Sequence, residues 1–435
     1  MTDGRATPFA GIAGRLGWGL ADQGLSSLTN FVLGVLVART VGLTQFGAFS
    51  LAFAAYLIVA SLSRAVNAQP LLIRYSGVPA PDWRRGASAG TGTALLIGIA
   101  AAILALGIAV ASGGSLRSAF LALALVFPGL IVQDAWRFAF FADGRGRSAF
   151  YNDLVWAGTQ LAALSIAINI GAGTVFWAVI AWGGAATLAA LIAAAQARLI
   201  PRPLAAHDWW DEHRDLIPPY IGEALANIMA GQLLLYAVGM VTGLAVVGAL
   251  RGAQILLGPL YVVVQGAYLV AVPEAVRVLR SSPPRFARLC LAAGLSLAGA
   301  AIAWTAVLVL LPESFGHLLM GTVWDPARAV LLAWGLSFAA SNLGSGAAIG
   351  LRAMAAAPRT LRAAVIASIF VFVGAVAGAA VAGLEGTAWG VLFTQVIGIG
   401  VWWWEFRGGY RDHINSEAGG PRTAPSRDPF RPGPM

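Results

Sequence analysis

The sequence has no lysine: all 28 basic residues among its 435 are arginine. A phosphate-binding loop of the G-x-x-x-x-G-K-[ST] kind is therefore excluded, and with it a P-loop ATPase. A single cysteine, Cys290, excludes an internal disulfide and a cysteine-based metal site. Charge of either sign is scarce, at 11% against about a quarter in a soluble domain. Water is thus excluded as the main solvent of this chain. Histidine is nearly absent too. The one close pair, His207 and His213 in HDWWDEH, reads as a solvated amphipathic turn with Trp209 and Trp210 at an interface, rather than as a metal site.

What fills the space is apolar. The chain is 58% hydrophobic, with a mean hydropathy of +0.76. Runs long enough to span a ~30 Å hydrocarbon core recur along it. Twelve spans are predicted, at about 16–38, 46–72, 88–112, 117–141, 149–170, 174–199, 214–241, 244–276, 286–311, 326–352, 359–383 and 387–406. The first is too long for the apolar core of a cleavable signal and reads as a retained helix. The expected layout is a tail at 1–13, a six-helix lobe at 14–199, an inter-lobe loop at 200–213, a second six-helix lobe at 214–406, and a disordered Gly/Pro/Arg-rich tail at 407–435. The fold class is an all-α polytopic membrane protein, and the internal loops are too short to fold as domains of their own.

Arginine placement sets the orientation. The great majority fall on one face, in the loops at 73–87, 143–147, 198–214, 277–288 and 352–362 and in both tails. Arg39, Arg117 and Arg328 fall on the other. The positive-inside rule puts both termini in the cytoplasm, as an even number of spans requires. It also accounts for the net charge of +9 without invoking nucleic acid. Trp402, Trp403 and Trp404 are expected to end the last helix in an interfacial aromatic belt.

The two halves echo one another. GLTQFGAF (Gly42 to Phe49) returns as GLAVVGAL (Gly243 to Leu250), shifted by 201 positions, and the same shift lays Asp22 on Glu223. Each half would then open with a helix carrying a buried acid, and six spans apiece give the halves the same topology, a parallel repeat about an axis along the membrane normal.

Asn30 followed by Ala38, Arg39, Gly42, Phe46, Gly47, Phe49 and Ser50, together with the turn Ala142-Asp143-Gly144-Arg145-Gly146-Arg147, resembles the polysaccharide-export branch of the multidrug/oligosaccharidyl-lipid/polysaccharide exporter superfamily. These are the O-antigen and teichoic-acid type flippases. The resemblance implies a MATE-like, bilobed, alternating-access transporter of the bacterial cytoplasmic membrane. It would move polyprenyl-pyrophosphate-linked oligosaccharide outward without ATPase or cofactor, coupled to H+ or Na+, amid membrane lipids and alongside glycosyltransferases and a polymerase of its pathway. Relatives that carry the peptidoglycan precursor usually have fourteen spans, so the count of twelve argues against that substrate.

Ionisable residues at membrane depth cost several kcal/mol and mark function by default. Asp22, Arg64, Asp134, Arg137 and Glu223 fall in the cytoplasmic half, Arg251 in the outer third, and Asp153 and Glu274 nearer helix ends. Arg64, Arg137 and Arg251 are expected to hold the pyrophosphate, with Asn30, Gln133 and Asn342 beside it, and Asp22, Glu223 and Asp134 to take the coupling ion. Other neutral polars, Gln23, Asn67, Gln69, Asn227, Gln232 and Gln265, could wet the same cavity. Asp134 and Arg137, spaced i, i+3, could equally neutralise each other on one helix. Two other function classes fit the sequence: a cation-coupled multidrug exporter of the same fold and, less well, a membrane polysaccharide polymerase or ligase, which usually carries a larger external loop.

Overall fold

A computed structural model describes residues 8–418. Fifteen α-helices run in order: α1 (Pro8–Val41), α2 (Leu43–Ser63), α3 (Gln69–Arg74), α4 (Ala80–Ala111), α5 (Gly114–Ala142), α6 (Gly146–Asn169), α7 (Val175–Ala197), α8 (Ala206–His213), α9 (Ile217–Thr242), α10 (Leu244–Leu256), α11 (Gly258–Ser281), α12 (Pro283–Val309), α13 (Glu313–Met320), α14 (Trp324–Ala353) and α15 (Ala357–Ala418). Proline in the first turn of α4, α9, α11 and α12 starts the helix where a missing N–H costs nothing. Among the described residues, eight helical stretches, one of them the run from α2 through α3, are long and apolar enough to cross a membrane.

All twelve expected spans have helical counterparts. α15 counts as two, because Ala382 and Gly383 leave helical geometry and fold it into a hairpin. The second span is α2 and α3 joined by a π-helical turn, Arg64–Ala68. The eighth is α10 and α11, broken at Leu257 before Pro259. The last span departs from expectation. Its helix does not stop at the tryptophan triplet but continues to Ala418, so the disordered tail expected from 407 is helical over its first part, and 419–435 lie outside the described residues. Trp402 and Trp403 pack instead on α14, with the Trp403 indole donating to the Leu343 carbonyl at 3.3 Å. Tertiary packing against α14 holds those two rings, while Trp404 is exposed.

The repeated GL joints have the same geometry. Gly42 (φ 76°, ψ 166°) and Gly243 (φ 88°, ψ 175°) take a conformation that only glycine adopts without strain. Each lets a helix end and the next begin at once. The two following helices, α2 and α10, then meet across the lobe boundary. Gly47 lies against the Leu244 carbonyl, and Gly248 against the Leu43 carbonyl, a reciprocal contact that a pseudo-two-fold relation generates. A side chain on either glycine would collide with backbone. The echo in the sequence is therefore the seam between the lobes at one end of the molecule, here called the joint end. Gly321, just after α13, lies against the backbone of Arg39 and closes the same end.

Candidate functional site

A cavity of about 880 Å³ opens between α1 and the C-terminal lobe. Helices α1, α9, α10, α11, α14 and α15 line it with Ser27, Asn30, Gln232, Gln254, Ser337, Ser341 and Gln395 among apolar and aromatic residues such as Phe31, Tyr261 and Trp334. Arg251 is the one charged side chain among the described residues lining it. Its guanidinium lies 5.1 Å from the centre of the Phe53 ring, across the lobe boundary, and donates to the Gln254 side-chain carbonyl at 3.3 Å. Neither partner is a carboxylate, so the positive charge is left to the cavity. A cation over an aromatic face gains only ~0.5–2 kcal/mol, which holds the group without neutralising it.

Glu405 is buried in α15 and paired with Arg359 and Arg362, while a second group of buried charges assembles around a small cavity of about 90 Å³ inside the N-terminal lobe. Arg64, at the first residue of the π-turn, grips Asp134 of α5 bidentately at 2.9 and 2.7 Å. Arg137, one turn along α5, reaches Asp22 of α1 at 2.6 Å and Asp153 of α6 at 3.4 Å. Asp153 also accepts from Ser26 at 3.0 Å and from Gln133 at 2.7 Å. The i, i+3 pair within α5 is thus not formed. Asp134 turns to α2 and Arg137 to α1 and α6, so the ion pairs join helices instead of cancelling along one.

Charge counting gives this cluster its chemistry. Asp22, Asp134 and Asp153 are all nearly fully buried, and two guanidiniums face them. One carboxylate is in excess. The Asp22 Oδ1, Gln133 Oε1 and Gln160 Oε1 atoms are buried without a hydrogen-bond partner. Buried oxygens left unpaired cost ~1–3 kcal/mol apiece, so a proton or small cation is favoured there.

Other expected residues are placed differently. Asn30 lines both cavities and stands between the two sites. Gln133 belongs to the carboxylate cluster. Asn342 is buried in α14, donates back to Phe338 O at 2.8 Å and lines neither cavity. Glu223 is exposed on α9, so the second lobe does not repeat the buried acid of Asp22. The repeat holds for the backbone and fails for the charges. The side chains of Asn227 and Gln265 lie outside the described ones.

Trp209 is also corrected. It is not interfacial but 2% exposed, stacked on Tyr75 and His213, and only Trp210 faces outward. Sequence reasoning passed over Gln254, Gln395, Ser337 and Ser341, whose neutral side chains carry no signal among so many small and polar helix residues.

The fold has known counterparts. The chain superposes on a multidrug resistance MATE family transporter of the MOP superfamily in its inward-facing conformation, with a TM-score of 0.67 at 14% identity, covering 90% of this chain and 96% of that one. It is similar to the lipid II flippase MurJ in an inward closed conformation, with a TM-score of 0.66 at 12% identity over 92% and 91%. A MOP superfamily transporter from Pyrococcus furiosus, described as having a binding pocket of reverse polarity, matches at a TM-score of 0.52 and 13% identity over 94% and 97%. No family model and no curated protein matches the sequence. At these identities the likeness establishes the fold: a MATE-like, two-lobed, multi-pass membrane protein.

Proposed function

We propose that this chain is an exporter that carries an anionic, lipid-linked oligosaccharide across the bacterial cytoplasmic membrane by alternating access. The observation that carries the reading is Arg251, a guanidinium without a carboxylate partner in the cavity of about 880 Å³. Arginine meets a phosphate bidentately, and a phosphate entering this cavity finds a charge not already spent. A cavity built for cationic drugs would present the opposite sign. The Pyrococcus furiosus neighbour is itself described as having a binding pocket of reverse polarity. The amides of Asn30, Gln232, Gln254 and Gln395 and the hydroxyls of Ser27, Ser337 and Ser341 suit sugar hydroxyls, and the Trp334 and Tyr261 rings offer apolar faces to pyranose rings.

Arg64 and Arg137 serve differently in this reading. Both are held by carboxylates, so they poise the N-terminal cluster, where H+ or Na+ neutralises the excess charge on Asp22, Asp134 and Asp153. Asn30, at the wall of both cavities, links the two events. With the joint end closed and the termini cytoplasmic, the cavity is loaded from inside.

The test is export by purified protein in liposomes loaded with fluorescent polyprenyl-pyrophosphate oligosaccharide. Wild type moves the lipid to the outer leaflet and Arg251→Ala does so ~10- to 100-fold more slowly. Equal rates for both variants, or transport of a lipophilic cation in place of the glycolipid, would reject the proposal.

A further inference from the structure

Pro70 lies just past the π-turn of the second span. Having no N–H, it can serve no carbonyl of the turn before it, that of Val66 among them. A π-turn is one way a helix accommodates such a residue, and freed carbonyls then need a donor from elsewhere. The donor here comes from outside the helix bundle: the indole N–H of Trp209, on α8, reaches Val66 O at 2.9 Å.

The same problem arises in the other lobe, where the broken eighth span exposes the carbonyl of Leu256. There the Trp304 indole fills it at 3.0 Å, from α12 of the same lobe. Only in the N-terminal lobe does the cap belong to the segment that runs on into the opposite lobe.

That segment is held in the middle of α8 and at its C-terminal end. The Trp209, His213 and Tyr75 rings form a mutual cluster, with centroids 4.1 Å apart for Trp209–His213, 5.7 Å for Trp209–Tyr75 and 5.8 Å for Tyr75–His213. The His213 Nδ1–H donates to the Trp209 carbonyl at 2.7 Å. Arg74, the last residue of α3, donates to the Glu212 carbonyl and grips Asp215 at 2.8 and 2.7 Å, two residues before α9 begins the C-terminal lobe. A displacement of α9 therefore pulls on α8, and α8 holds a carbonyl in the turn that opens with Arg64.

We propose that Trp209 is a positioning residue for Arg64: by holding the carbonyl that Pro70 frees, it lets the relative position of the lobes set how Arg64 meets Asp134. The proposal rests on the exporter reading for its purpose but on the hydrogen bond alone for its mechanism. It assigns the inter-lobe helix a role in relaying motion to the carboxylate cluster.

The experiment is a rescue cycle in nanodisc-embedded, full-length protein labelled with ¹⁵N-arginine. The Arg64 Nε–H resonance is assigned by its loss in Arg64→Lys. Trp209→Phe keeps the stacked ring and removes the donor. It is expected to shift that resonance, to leave the resonance of Arg359 unmoved, and to slow glycolipid export about fivefold, the scale of one net hydrogen bond. Adding Pro70→Ala supplies a backbone N–H for Val66 O and is expected to return both readings to within about twofold of Pro70→Ala alone.

A packing role for Trp209 would not be rescued in this way. An Arg64 resonance unmoved by Trp209→Phe, or a double variant no better than the single, overturns the proposal. If Trp209→Phe does not accumulate, Pro70→Ala alone must shift the Arg64 resonance, and an unmoved signal overturns it equally. Wild-type protein that moves no glycolipid would reject the exporter reading while leaving the spectroscopic cycle to decide this one.

Discussion

Replacing Gly47 with alanine should open the joint end. A Cβ at that position would come within 2.7 Å of the Leu244 carbonyl carbon and closer still to its oxygen, where ordinary contact begins at 3.4 Å. Both atoms are main chain, so no rotamer change relieves the clash, and α2 and α10 must separate by more than an ångström. Overpacking of this kind costs ~1–3 kcal/mol. That cost falls only on the state in which the joint end is closed. A penalty of ~2 kcal/mol moves a two-state balance about 30-fold toward the state with the lobes apart there.

The assay uses Val247→Cys, a site with no exposure in the closed seam, with Cys290 replaced by serine. The rate of labelling by a membrane-impermeant maleimide reports opening. Gly47→Ala should raise that rate by ten- to thirty-fold. Gly184→Ala is the control, since a Cβ there meets nothing within 4 Å. Unchanged labelling in folded Gly47→Ala protein would refute the view that this glycine pair is a closed gate.

Further outcomes follow from the charged sites. Arg251→Ala should cut glycolipid export ~10- to 100-fold, the worth of a charged hydrogen bond, and Arg251→Lys should recover only part of it, because an ammonium cannot pair bidentately; initial transport rates decide. Arg137→Ala leaves Asp22 and Asp153 buried without their shared cation and should destabilise the protein by ~3–5 kcal/mol. Adding Asp22→Asn should restore part of this in thermal unfolding in detergent, and an equally unstable double variant would count against the shared pair. Burial holds the His213 imidazole below its ordinary 6.5, with Glu212, Asp215 and Arg74 around it. The unfolded chain then takes up a proton before the folded one does, so stability falls as pH drops below ~6.5. His213→Phe should flatten that slope between pH 7 and 5.

The sequence by itself determined the class and the layout. Scarce charge and repeated apolar runs leave no alternative to a multi-pass helical bundle, because each span satisfies its own backbone hydrogen bonds. The GL joints were legible for a related reason: a helix that ends and restarts within one residue needs glycine's positive φ, and that demand is local. Twelve spans and a two-fold echo followed from such local facts.

What only the tertiary structure decided is which charge meets which. Asp134 and Arg137 sit one turn apart and look like a pair, yet neighbouring helices supply each a better-placed partner, and no spacing along α5 shows that. Trp209 in an acidic, His-flanked loop looks solvated until the carbonyl stranded by Pro70 is found beside it. Trp402 and Trp403 look like an end until α14 packs against them. Periodicity encodes the path of each helix through the bilayer. Partnership between side chains depends on how those helices rotate against one another, and that is fixed by summed packing over the whole bundle, to which no single segment holds the key.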